Sequence, residues 1–117
     1  MLSYENKKGK IIPVTVKRHA YAQFYERYKL VLPKKDLQNA QVPAELERLF
    51  SLSIKVKNLS RKEKTRLKRY GDDTMFFRTN FFTFIVQNKC IVTVEISDTN
   101  KRYMNKRHHQ TPKNSVL

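Results

Sequence analysis

Apolar positions recur with a period of two or of about 3.6 along most of this chain, and the switches between the two periods mark its elements. Residues 11–17, Ile-Ile-Pro-Val-Thr-Val-Lys, read as a strand. Pro13 cannot donate to a ladder, so this is an edge strand or a strand start. Residues 19–30 read as a helix, with Ala20, Phe24 and Tyr28 on one stripe and Tyr21 and Tyr25 beside it. Pro33 ends it. Residues 43–57 read as a second helix, opened by Pro43 and striped by Leu46, Leu49, Phe50 and Ile54. Its last residues, Ile54-Lys55-Val56-Lys57, alternate and fit an extended segment as well. Ser60-Arg-Lys-Glu63 is a capping box that opens a third helix, and Gly71 stops it. Three β-type runs follow, at residues 74–78, 82–86 and 90–96.

Strand parity constrains the last three runs. Their more apolar faces are Met75/Phe77, Phe82/Phe84/Val86 and Cys90/Val92/Val94/Ile96, and a slip of one residue would expose a whole set. Pairing Phe77 with Phe82 leaves residues 78–81 as the first connection. Pairing Val86 with Cys90 leaves Gln87-Asn88-Lys89 as the second. A turn made of Asn88-Lys89 alone would pair Gln87 with Cys90 and break the parity. The expected fold is α+β: an N-terminal strand, two or three helices, then a three-strand antiparallel meander. The strands form one small sheet with helices on one face. Residues 1–10 read as a flexible basic arm, 11–97 as a single domain and 98–117 as a basic, disordered tail.

Charge changes the picture from a generic small domain to a polyanion binder. The chain has 117 residues, 25 Lys+Arg, 10 Asp+Glu and a formal charge of +15. The excess falls in blocks: +7 over residues 1–35, +7 over 55–70 and +5 over 101–117, with −2 over each of the stretches between. Such a surface attracts polyanions by releasing their counterions. RNA is the first partner expected, DNA the next, and an acidic protein that neutralises the chain is a further candidate. The single cysteine, Cys90, sits in an apolar run, allows no disulfide within one chain and reads as a small buried hydrophobe. No apolar run is long enough to span a bilayer and no signal peptide is visible, so a cytoplasmic protein without membrane contact is expected. The chain has no glycine-rich phosphate loop, no HExxH and no CxxC, so neither metal nor cofactor is expected.

Several side chains are candidates for chemistry. Lys17-Arg18-His19 lies where the chain passes from strand to helix, and an imidazole there suits a general acid or base. On the more polar face of the meander, Arg78 suits a phosphate, Thr93 suits a phosphate oxygen, Glu95 suits a base, and Phe76 and Phe81 suit unpaired bases. On the third helix, Arg61, Lys62, Lys64, Arg66, Lys68 and Arg69 surround Leu67 and Tyr70, with Glu63 the only acid. Arg61, Lys64, Lys68 and Arg69, with Lys17 and Arg18, are the expected nucleic-acid contacts. The plainer readings are a solvated helix, a solvated sheet face and an exposed His19. Asp72-Asp73 reads as a turn, and His108 and His109 as solvated tail residues.

Lys17-Arg18-His19-Ala20 with Glu26-Arg27, followed by Phe77-Arg78-Thr79, Phe82 to Val86 and Ile91 to Val94, resembles small strand–His-Ala–helix domains. Those are similar in turn to the RelE-like ribonuclease toxins, within the barnase–EndoU–colicin–RelE fold group. The resemblance implies metal-independent RNA cleavage through attack of the ribose 2′-OH on the adjacent phosphate. His19 would act as base or acid, Arg78 would steady the phosphate and Thr93 would hydrogen-bond it. It also implies an acidic, antitoxin-like protein partner. The family pattern often has a basic residue four positions after the histidine, where this chain has Gln23. A metal-independent endoribonuclease and a non-catalytic RNA- or DNA-binding module therefore stand side by side, with an interaction domain neutralised by an acidic protein as the third reading.

Overall fold

The structure, a computed structural model, describes residues 2–97. The tail at 98–117 lies outside the described residues. In chain order the elements are β1 (Ser3–Glu5), β2 (Ile11–Pro13), β3 (Thr15–Val16), α1 (Arg18–Val31), α2 (Val42–Ser51), β4 (Ile54–Lys55), α3 (Arg61–Tyr70), β5 (Met75–Arg78), β6 (Phe82–Gln87) and β7 (Cys90–Ile96). Short 3-10 turns, Pro33–Lys35 and Asn39–Gln41, join α1 to α2. The architecture is α+β, and its centre is the antiparallel meander β5-β6-β7. Strand β3 adds to β7 in parallel and β4 adds to β5 antiparallel, giving a five-stranded sheet of order β3-β7-β6-β5-β4.

Residues 3–5, expected in a flexible arm, are a strand instead. Tyr4 pairs with Ile12 in a β1–β2 hairpin, and its ring packs 5.4 Å from that of Phe77. The hairpin closes through Asn6, whose side-chain oxygen accepts from the N–H groups of Lys8 and Lys10 while Gly9 takes a φ of 78°. This turn uses one of only two glycines in the chain, at a conformation that other residues rarely adopt.

Helix α2 stops at Ser51, well before residue 57. The hydroxyls of Ser51 and Ser53 donate back to the carbonyls of Arg48 and Phe50, and β-branched Ile54 then leads into β4. The core lies between the sheet and a layer made by α1, α2 and the hairpin. Phe24 of α1 meets Phe82 at 5.3 Å, and Phe50 of α2 meets Phe84 edge-on at 5.4 Å. These rings fill a cluster with Phe77, Val86, Ile91 and Val94.

The meander register differs from expectation at both turns. Phe77 pairs with Phe84 and Arg78 with Thr83, so the first turn is Asn80-Phe81, closed by a bond from the Thr79 N–H to the Phe82 carbonyl. The second turn is Asn88-Lys89, and Gln87 does pair with Cys90. Both turn residues have positive φ, 51° and 59°, the type I′ geometry that matches strand twist. The cost in parity is absorbed by a register shift where β6 reaches Ile85/Val86. Below it Val86 faces Ile91, and above it Phe84 faces Val94. Ile91 is therefore in the core where Val92 was expected, and Cys90 is half-buried rather than enclosed. Lysine is strained at φ 59°, so Lys89→Gly is expected to raise stability by about 0.5 kcal/mol in urea unfolding.

The helices do not all share one face. Phe76 and Ile85, which alternate out of the main core, are buried on the opposite side of the sheet. Helix α3 lies there, touching the sheet at Arg78, Glu95 and Gln87. The sheet thus has α1, α2 and the hairpin on one side and α3 on the other.

Candidate nucleic-acid interface

Helix α3 has little apolar surface with which to dock, and polar contacts hold it. The Ser60 hydroxyl accepts from the Glu63 N–H at 3.2 Å, and the Glu63 carboxylate accepts from the Ser60 N–H at 2.9 Å. The other oxygen of the same carboxylate pairs with the Arg78 guanidinium. Arg66 pairs with Glu95, and the side chain of Gln87 donates to the Tyr70 carbonyl. Gly71 ends the helix at φ 113°, its N–H bonded to the Leu67 carbonyl.

These contacts turn the one acid of α3 inward. Glu63 is 6% exposed, and Arg66 and Leu67 are half-buried beside it. Arg61, Lys62, Lys64, Lys68 and Arg69 are all exposed. At 100° per residue they share one broad face with Thr65 as the only uncharged member, along about 12 Å of axis. An ordinary solvated helix face mixes charge signs, and this one does not.

Lys17, Arg18 and His19 are exposed at the start of α1. Lys17 borders a hollow of about 400 Å³ with Asp73, Gln87 and Asn88, just past the end of α3. The first two basic blocks thus approach one another at the Asn88-Lys89 end of the sheet.

The residues of the cleavage scheme are not gathered. The Lys17 N–H bonds to the Ile91 carbonyl, placing His19 near the start of β7, whereas Arg78 pairs with Thr83 at the other end of the meander. Thr83 pairs in turn with Glu95, so four residues of β7 separate the Ile91 level from the Arg78 level, about 13 Å. Arg78 is occupied by Glu63 and donates to Thr83 Oγ1 at 3.4 Å. The Thr93 hydroxyl donates to Gln23 Oε1, which also accepts from the Val94 N–H at 3.2 Å. Gln23, where a cation was sought, is used to satisfy β7 beyond its short pairing with β3. Glu95 is taken by Arg66. The sheet face expected to be open is engaged at both candidates: Arg78 is tied to Glu63 of α3, and Thr93 is bonded to Gln23 of α1. Phe76 is 2% exposed and has no surface for stacking, whereas Phe81 is half-buried at the β5–β6 turn.

Sequence reasoning missed a polar triad on the other side. Tyr28 donates to Glu45 Oε2 at 2.6 Å, and Glu45 takes two bonds from Arg48, at 2.7 and 2.9 Å. The Glu45–Arg48 spacing was a visible signal, but nothing local joins Tyr28 to a residue on another helix. Burial, then the bond to Glu45 and its charge, push the Tyr28 phenol up to about 12. The Arg48 hydrogen bond is the main cause holding the Glu45 carboxyl below its usual value. A raised phenol pKa stabilises the fold below pH 10 and loses that contribution as pH rises toward about 12. The stability gap between wild type and Tyr28→Phe is therefore expected to be steady near neutrality and to shrink over that window, measured by urea unfolding. Glu45 works in the opposite sense, its contribution being lost as pH falls below about 4.5.

Among the described residues, no group of three His, Cys, Asp or Glu is placed to hold a metal ion, and no helix is long and apolar enough to cross a membrane. No known family, curated protein or solved structure matches this chain.

Proposed function

We propose that this chain is a non-catalytic nucleic-acid-binding domain, with single-stranded RNA as its first ligand and the outer face of α3 as its footprint. The observation that carries this reading is the run of five exposed cations on α3 with its only acid turned inward. Such a face neutralises phosphates and gains affinity from counterion release. Thr65 is the only uncharged polar side chain on it, so contact to the backbone is favoured over base readout. Tyr70, 36% exposed, follows Arg69 at the last residue of the helix but lies 100° round from it, so a strand that passes over the end of α3 rather than along its cationic face would meet the ring, which a flexible single strand does more readily than a duplex.

The test is a metal-free binding assay with a uridine oligonucleotide in EDTA. The RNA is expected to be bound and recovered intact. Lys64→Glu/Lys68→Glu is expected to weaken binding by about tenfold or more, with unfolding unchanged because both side chains are exposed. RNA products that vanish in His19→Ala would overturn the non-catalytic reading and favour the RelE-like one. Unchanged affinity in the double reversal would remove α3 from the footprint.

A further inference from the structure

A wide cleft lies away from the exposed face of α3. It encloses about 740 Å³ between the ends of α1 and α2, the strand β4 and the β5–β6 turn. Its floor is mostly aliphatic: Leu32, Leu49, Leu52, Ile54 and Val56, with Phe81 at the turn. Leu52 and Ile54 are 64% and 76% exposed, two large aliphatic side chains left in water on one cleft. Its rim carries Lys35 and Lys55, together with two arginines already paired with acids, Arg48 with Glu45 and Arg78 with Glu63. Strand β4, which carries Ile54 and Lys55, is the last strand of the sheet, and among the described residues no strand pairs with its outer edge.

Charge decides among the occupants. The chain's own residues 101–117 carry a net +5, and a second copy carries +15, so the rim repels both. A nucleic acid matches the rim, but its bases stack on aromatic planes, and this floor is aliphatic apart from Tyr28 and Phe81. Aliphatic side chains match the floor, carboxylates match the rim, and an extended backbone matches the free edge. We infer that this cleft docks an extended acidic segment of a partner protein, in which aliphatic side chains alternate with carboxylates. The inference does not depend on the nucleic-acid reading of α3, whose exposed cations line no part of the cleft except through the neighbouring Arg78 anchor.

The experiment compares two labelled peptides of equal length and charge, one alternating Glu with Leu and the other Glu with Ser, by fluorescence anisotropy. The wild-type chain is expected to prefer the Glu-Leu peptide by about tenfold or more. Leu52→Ser/Ile54→Ser, a charge-neutral change at two exposed positions, is expected to abolish that preference while keeping affinity for a uridine oligonucleotide. Lys35→Glu/Lys55→Glu is expected to weaken the Glu-Leu peptide as well, which tests the rim independently. Equal affinity for the two peptides, or a preference that survives Leu52→Ser/Ile54→Ser, would overturn the inference. Loss of RNA affinity in that same variant would overturn it too, by assigning the cleft to RNA. Failure of the Lys64→Glu/Lys68→Glu result above would instead count against α3 and leave the peptide comparison standing.

Discussion

Replacing Phe24 with alanine is expected to cost about 3–5 kcal/mol of folding stability, enough to exhaust much of the margin of a domain this size. Phe24 is fully buried and its ring meets Tyr28, Phe82 and Phe84, so it joins α1 to the middle of the meander. The aromatic neighbours are themselves held by the sheet and by α2, so they cannot collapse far into the space left behind. Phe24→Leu keeps most of the volume and should cost under about 1.5 kcal/mol. Urea unfolding of the two variants measures both figures. A cost below about 1 kcal/mol for the alanine would mean that α1 is not docked through this residue.

The second large effect concerns the anchoring of α3. Glu63→Ala removes a cap on the first turn and the partner of Arg78 in one step. Breaking a fully buried pair costs about 3–5 kcal/mol, but the Arg78 side chain is 40% exposed and recovers water, so about 2–3 kcal/mol is expected. Glu63→Gln keeps an acceptor for the Ser60 N–H and should lose less. Amide hydrogen exchange should quicken through Arg61–Tyr70 in the alanine variant before it does so in α1. If α3 were held by Leu67 and Tyr70 alone, Glu63→Ala would cost less than about 1 kcal/mol and exchange would be unchanged.

These two residues differ in how far they could be read in advance. Phe24 sits on a clear helical stripe, and its burial follows from periodicity. The capping box and Gly71 likewise bounded α3. The face that α3 would cover was not legible, because its inner side is mostly polar: Glu63 and Arg66 find partners on strands that are distant in sequence. Alternation placed Phe77, Phe82, Phe84, Val94 and Ile96 in the core, but a bulge leaves no trace in a two-residue period, and that misplaced Val92 and Ile91. The first arm of the β1–β2 hairpin escaped notice because Leu2 and Tyr4 are the only apolar side chains among residues 2–10. The parallel pairing of β3 with β7 joins residues some 75 positions apart, beyond any local pattern.

For the candidate site, the basic blocks were legible from charge alone, and the structure sharpens them. The α3 block becomes one acid-free ridge because Glu63 turns inward. The residues chosen for catalysis were legible as types but not as partners. Arg78 serves α3, Thr93 is bonded to Gln23, and His19 stands at the far end of the sheet from Arg78. The triad Tyr28–Glu45–Arg48 and the cleft beside it depend on α1 and α2 meeting, which no local spacing encodes.

The most direct test of the α3 footprint is the salt dependence of RNA binding. Affinity for a uridine oligonucleotide is measured across a series of salt concentrations, for wild type and for Lys64→Glu/Lys68→Glu. If both lysines sit on phosphates, the slope of log K against log salt falls by about 1.4 in the variant, about 0.7 for each contact on a single strand. Parallel lines for the two proteins, whatever their offset, would contradict the account by showing that α3 releases no counterions on binding.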